Sequence, residues 1–536
     1  MIALDLPPEQ RLSTLTTQLA TGTTAYNPTL YLSRARAYLD LGFPDLASGD
    51  AYRAVLLTDY VRDYLEEGEL SASPADDDDD EREDAEEFRA ATHAWRYITS
   101  SPTPLETLEE ASLSLLARSL HLVGCNEQAT SYLRLALRRF PNSPKFSSLL
   151  QETSASPASS GKARRFVYPW NHHEPDRFSS ETLEYLNTRV IPASSKNVEV
   201  RVVKLPLLGE NAEDLGTTTQ LGVFATADIG VGEVCLEEES ALTVVTDPMD
   251  GGLCEYCGQR WEGETSTCSL CADAEAEGIE TVVPVWCSTH CRDSAIEKYH
   301  PALCTRPTAP LHRAANASSA TALTATSQPG GSVYALLLLK TFAMALVQNT
   351  HPLSLPETKY LYGVPPIEEA GDLRIGWGWE ENVRGAVGIL EALGVDVFTG
   401  TSHLSKAAGP EWWNTWVVNT LIAKFRGVAS GRLDSRGYTE AAAAHTLYSL
   451  VNHDCEPNVR WECGGIMKFW GVGKEEGAEE GAAVRKGEEL KSCYCDKSLG
   501  YKERREWMMG CLGGCCRCER CLREEREEME GGKVLN

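Results

Sequence analysis

Between residues 254 and 304 the chain sets seven cysteines and one histidine in close pairs: Cys254-x2-Cys257, Cys268-x2-Cys271, Cys287-x3-Cys291 and His300-x3-Cys304. Thiolates and imidazole suit a borderline-soft ion such as Zn²⁺, and a closed structural site takes four of them, so this set makes two tetrahedral sites. Such a site has no open coordination position and no catalytic role. The opening, MIALDLPPEQ, has neither the basic nor the apolar region of a secretory signal. An intracellular, reducing setting in nucleus or cytoplasm is therefore expected for the 18 cysteines, where close-set thiols hold metal more often than they form disulfides.

Charge narrows the partners. With 50 basic against 78 acidic residues the net charge is -28, which repels polyanions and disfavours nucleic-acid readout. The run ADDDDDEREDAEE, 75–87, reads as a solvated loop, yet without it the net charge is still -19. Acidity belongs to the whole chain. The longest apolar stretch, Tyr334 to Val347, carries Lys340 and is too short to span a membrane.

At 536 residues the chain should hold about three to five folding units. Residues 1–150 read as helical, with small residues recurring in two segments: Gly42, Ala47 and Ala54, then Gly124, Ala129 and Ala136. That spacing resembles tetratricopeptide units and is also met by ordinary amphipathic hairpins. Residues 151–165 read as a linker. Beyond it the period changes to alternation, as in NVEVRVVKL (197–205), LGVFAT (221–226) and GEVCLEEE (232–239), which predicts strands. VYALLLLKTFAMALV and EWWNTWVVNTLIAKFRG predict helices, NVRWECGGIMKFWG (458–471) a hairpin turned at Gly464-Gly465, and Ala314–Gln328 is a low-complexity stretch. The fold class is thus multidomain α+β: a helical module, then a strand-rich domain interrupted by a cysteine-rich and a helical insertion.

The run Asn452-His453-Asp454-Cys455-Glu456-Pro457-Asn458 resembles the Asn-His-x-Cys-x-Pro-Asn signature of SET-domain protein lysine methyltransferases. LGVFATADIGVGEVCLEE resembles the glycine-rich opening of that fold, VRKGEELKSCYCD its closing strand with the catalytic tyrosine, and CCRCERC its post-SET cysteine cluster. WCSTHCRDSAIEKYHPALC resembles a MYND zinc finger. In this order the motifs resemble the SET-and-MYND family, and the helical module resembles the arrangement of fungal tetratricopeptide-SET proteins. The implied domains are 1–150 helical with an acidic loop at 75–87, 151–165 linker, 166–250 first SET part, 251–306 finger, 307–429 helical insertion, 430–505 second SET part, and 506–536 post-SET segment and charged tail.

The resemblance implies a cofactor, S-adenosylmethionine, held by Gly222, Val223, Phe224, Asn419, Asn452, His453 and Tyr494, with Tyr494 catalytic and Tyr448 and Tyr501 as further pocket candidates. It implies interleaved zinc sites, Cys254, Cys257, Cys287 and Cys291 on one ion and Cys268, Cys271, His300 and Cys304 on the other, with an exposed acidic loop at Asp273–Glu280. A third zinc would sit on Cys455, Cys516, Cys518 and Cys521, although Cys515 beside Cys516 leaves the register and a redox pair open. Departures include Gln220, where the family has glycine, and GVGKEEGAEEGAA (471–483), read as a solvated loop. The expected activity is methyl transfer to a lysine of a histone or another protein, with peptide partners for the finger and the helical module. The alternative is a non-catalytic adaptor with a degenerate SET domain.

Overall fold

The structure is a computed structural model and describes residues 6–70, 85–156, 161–209, 211–249, 252–317, 333–364, 375–405, 407–462, 466–473, 482–512 and 514–531. Its contacts divide the chain into two compact units, one built on Met1–Arg164 and Arg374–Thr420, the other on Arg165–Thr326, Gly331–Leu373 and Leu421–Asn536.

In the first unit, helix Pro28–Asp40 packs on Pro44–Glu66, and Leu105–Val123 packs on both Pro44–Glu66 and Asn126–Arg139. Pro28 and Pro44 open their helices, where the missing N–H is not needed, and Asn27 caps the first by accepting from the Thr29 N–H at 3.0 Å. Gly42, at φ +82°, turns the chain between them. Ala47, Ala54, Ala129 and Ala136 are all fully buried, so the recurring small residues face helix contacts. Deep in this unit Arg34 grips Asp50 through two nitrogens, each 2.7 Å from a carboxylate oxygen.

Three features depart from the sequence expectation. The segment read as a linker begins inside helix Pro144–Ala155, which buries Phe146 and Thr153, and continues into strand Gly161–Ala163. That strand pairs antiparallel with Ile375–Trp377, Gly161 opposite Trp377, a contact across the chain that local composition does not encode. Helix Ala85–Thr99 starts within the expected acidic loop, of which residues 75–84 lie outside the described residues. The helical insertion is divided: helix Val333–Val347 belongs to the second unit, whereas Arg374–Thr420 clusters with the N-terminal helices.

The second unit is a set of small sheets, several of which pack on a large apolar cluster. Val198–Pro206 pairs antiparallel with Thr217–Ala225, and Val234–Glu239 pairs with Ile466–Gly471, which pairs in turn with Val459–Glu462. The turn expected at Gly464-Gly465 and most of the 471–483 loop lie outside the described residues, as does most of the Ala314–Gln328 stretch. Leu221, Val223, Leu236, Leu447, Leu450, Val451, Phe469 and Leu490 fill the core. Alternation sends the neighbours of these residues the other way, and that opposite side of Leu221–Phe224 carries Gly222. No helix among the described residues is long and apolar enough to cross a membrane.

Breaking a buried ion pair leaves the surviving charge unsolvated. Asp50→Ala is therefore expected to destabilise the chain by about 3–5 kcal/mol, seen as an earlier loss of helical circular dichroism in urea. An effect under about 1 kcal/mol would mean that solvent reaches Arg34.

Candidate functional site

The residues singled out as metal ligands gather into three groups: Cys254, Cys257, Cys287 and Cys291; Cys268, Cys271, His300 and Cys304; and Cys455, Cys516, Cys518 and Cys521, the ligand atoms of each lying within 4.8 Å of one another. Local structure explains the spacing. Gly258, at φ +66°, closes a tight knuckle in which its N–H reaches Cys254 O at 2.8 Å, bringing Cys254 and Cys257 together. Ser288 caps helix Thr289–Lys298 through the Cys291 N–H, setting Cys291 one turn in from Cys287. His300 and Cys304 stand at the two ends of the short helix His300–Leu303.

The Sγ···Sγ separations are 3.7 Å for Cys257–Cys287, 3.6 Å for Cys287–Cys291, 3.7 Å for Cys271–Cys304 and 3.6 Å for Cys455–Cys521. A tetrahedral ion with metal–sulfur bonds of about 2.3 Å has ligand–ligand edges of about 3.8 Å, whereas a disulfide needs about 2.05 Å. The groups therefore fit a tetrahedral, thiophilic metal ion. Burial holds the His300 imidazole below its ordinary pKa, in the neutral form that ligation requires. Of the adjacent pair, Cys516 is the one in the third group, while Cys515 turns to the loop of the first strand pair through its N–H to Gly209 O at 2.8 Å. Between Cys271 and Cys287 the expected acidic loop is partly helix Ser269–Ala276, with Asp273, Glu275, Glu277 and Glu280 exposed.

Around the third group lies the second constellation. Asn452–His453 runs parallel to Lys491–Ser492, which carries the chain on to Tyr494. The Tyr494 N–H donates to His453 Nδ1 at 3.1 Å, so the ring proton sits on Nε2, which faces Cys455 Sγ at 3.2 Å. One imidazole thus ties the tyrosine backbone to a metal-ligand sulfur. The Tyr494 hydroxyl donates to Val451 O at 2.5 Å. Asn452 Nδ2 donates to Leu221 O at 2.9 Å and to Glu489 Oε1 at 2.7 Å, which joins the segment to Gly222. A Cβ on Gly222 would lie 2.6 Å from Glu489 Oε1 and 3.2 Å from Asn452 Nδ2. Glycine is what this approach needs.

The remaining candidates divide. Val223 puts its side chain in the core and offers only its backbone, its carbonyl accepting from the Leu490 N–H at 2.8 Å. Phe224 bridges to Glu489 and lies under the Arg201 guanidinium, 5.2 Å from the ring centre. Gln220 accepts from Arg177 at 2.6 Å. Tyr501 packs with Tyr494 against the third cysteine group, while Tyr448 packs edge-on against Trp461. Asn419 lies in the helical unit, its oxygen accepting from Trp377 and Asn382 and its nitrogen donating to Asp45 at 2.8 Å, so its amide is engaged there.

Two acids went unremarked in the sequence. Glu489 is one, and Glu238 is the other: 6% exposed, it accepts the N–H groups of Leu447 and Tyr448 at 2.9 and 3.0 Å, and so braces the turn that leads to Asn452. A signal existed, since alternation along Val234–Glu239 puts Glu238 on the same face as the buried Leu236. Burial pushes the Glu238 carboxyl up to about 7, despite the N–H groups of Leu447 and Tyr448 that favour its charge.

No family model matches the chain. It is similar, however, to proteins of one catalytic class, named histone-lysine N-methyltransferases. It is 24% identical to SET5 of Candida glabrata over 320 residues, 56% of each chain. It is 34% identical to ATXR4 of Arabidopsis thaliana over 85 residues, 15% of this chain and 24% of that one, and 38% identical to SET5 of Yarrowia lipolytica over 84 residues, 15% and 17% of the two. The chain thus spans about half the length of the first of these curated relatives and a quarter or less of the other two.

Two outcomes follow from the packing. Gly222→Ala overpacks the contact with Glu489 and Asn452 and is expected to cost about 1–3 kcal/mol in urea denaturation. For Glu238 the folded state holds the proton more tightly than the unfolded chain, so its contribution is full below about pH 4.5 and is lost as pH rises to about 7. By calorimetry the melting temperature should fall between about pH 5 and pH 8, and fall less in Glu238→Gln. Equal slopes would assign that titration to another group.

Proposed function

We propose that the chain is an S-adenosylmethionine-dependent protein lysine methyltransferase of the SET-and-MYND kind, acting on a histone or another basic protein. The observation that carries the reading is the convergence of Gly222, Asn452, His453 and Tyr494, drawn from three separate segments, in a chain whose relatives are named as histone-lysine methyltransferases. The cofactor fit rests on Asn452 Oδ1, which has no partner among the described residues.

When bound, S-adenosylmethionine supplies an electrophilic methyl group on a sulfonium. Backbone groups of Gly222, Val223 and Phe224, with Asn452 and His453, would hold it. Tyr494 donates its hydroxyl proton to Val451 O, and as an acceptor its oxygen would take an N–H of the substrate amine and aim the nitrogen. The lysine must arrive neutral, and a site shielded from water favours that form. Little acid–base machinery is required, and positioning supplies most of the rate.

Zinc is the metal we assign to the three cysteine groups. All four positions of each ion are protein ligands, so the metals are structural. The first two groups form a MYND-type finger; the third holds the post-SET segment and, through His453, the backbone at Tyr494. The N-terminal helices serve as a tetratricopeptide-like docking module, and the net charge of -28 suits a lysine-rich partner. The site of action is the nucleus or cytoplasm.

The test is calorimetric binding of S-adenosylmethionine together with transfer of labelled methyl to histone peptides. Wild type is expected to bind and transfer, and Tyr494→Phe to keep its affinity while losing about 100-fold in rate. Absence of binding heat would leave the non-catalytic adaptor as the reading, a role that Gln220 in place of glycine would suit. Metal analysis should return about three zinc ions per chain, and a content near zero in reduced protein would overturn the ligand assignment.

A further inference from the structure

The side chain assigned to the cofactor is itself held by a carboxylate outside every motif role named so far. Asn452 commits both N–H bonds of its amide, one to Leu221 O at 2.9 Å and one to Glu489 Oε1 at 2.7 Å. An amide whose nitrogen faces two acceptors has one orientation, and its oxygen must face away from both. Leu221 O alone would engage one N–H and hold the orientation by a single bond, and the carboxylate adds the second.

The backbone that carries Glu489 is held on both sides. Its carbonyl accepts from Asn458 Nδ2 at 2.9 Å, and the next N–H, of Leu490, reaches Val223 O at 2.8 Å. Its own residue bridges to Phe224. Lys491 Nζ stands 3.8 Å from the other carboxylate oxygen and 3.9 Å from Asp454, so one cation serves two acids. Gly222 leaves the space the carboxylate occupies, since any side chain there would meet Oε1.

We propose that Glu489 is a positioning residue, which locks the Asn452 amide with Oδ1 presented to the cofactor as an acceptor and so selects a ligand group that donates. The inference rests on the methyltransferase reading for the identity of the ligand, though not for the lock itself. Without the carboxylate, the amide can offer an N–H where an acceptor is needed, and a donor facing a donor loses the bond and leaves both groups unsatisfied.

The test compares S-adenosylmethionine affinity, by calorimetry on the full chain, for wild type, Glu489→Gln, Glu489→Met, Asn452→Ala and the double variant Glu489→Met/Asn452→Ala. Glu489→Met is expected to weaken binding tenfold or more. Glu489→Gln still offers an amide oxygen to Asn452 Nδ2 and should stay within about threefold of wild type. In the Asn452→Ala background Glu489→Met should cost little further, because its effect passes through that amide. Additive losses, or a Glu489→Met variant that binds as wild type does, would overturn the proposal. If wild type itself binds no cofactor, the methyltransferase reading fails and the lock is judged separately: the Asn452 side-chain amide resonances of the free protein must shift in Glu489→Met, and unmoved resonances overturn the lock.

Discussion

The site depends on how one short segment is clamped between two others. Asn458 accepts the Lys491 N–H at 2.8 Å through Oδ1 and donates from Nδ2 to Glu489 O at 2.9 Å, so a side chain takes the place of a missing strand partner. Six residues earlier Asn452 donates twice from Nδ2, to Leu221 O and to the Glu489 carboxylate. Between these two forks run His453, Asp454 and Cys455, with the Asp454 N–H on Ser492 O at 2.9 Å. Buried backbone groups in so irregular a region must find partners, and asparagine, carrying both a donor and an acceptor, supplies them where regular pairing cannot.

That clamp makes the third thiol group and the Asn452–His453–Tyr494 constellation one structure. Cys455 is at once a member of the third thiol group and the acceptor for His453, whose other nitrogen receives the Tyr494 N–H. Arg504, buried beside the group, reaches Cys521 Sγ at 3.5 Å and Glu524 at 2.8 Å, placing a cation against sulfurs that must be thiolate to bind metal. A displacement of the closing segment would therefore reach the tyrosine through hydrogen bonds rather than through general loosening.

Much of this was legible in one dimension. Ligand pairs three or four residues apart are local facts: a knuckle at Gly258 or a helical turn after Ser288 brings both members to one side, and the pair is visible in the sequence. Helix Val333–Val347 was legible for the same reason, as an unbroken apolar run of helical length. Asn419 was not. Its motif position suggested the cofactor, while the structure spends its amide on Asp45, Trp377 and Asn382, residues drawn from distant parts of the chain. Glu489 and Glu238 escaped notice because acids in charged runs read as solvated surface, and only packing shows which one turns inward.

By itself the sequence determined which side chains could carry chemistry and which neighbours would share a turn, because those depend on residue type and on spacings of about one helical turn. Tertiary structure decided what met across tens to hundreds of residues: Cys455 with Cys521, Gly222 with Glu489, and Gly161–Ala163 with Ile375–Trp377. The physical reason is that such contacts are chosen by closure of the whole core and by the need to pair every buried polar group. Neither requirement can be evaluated until the chain is folded.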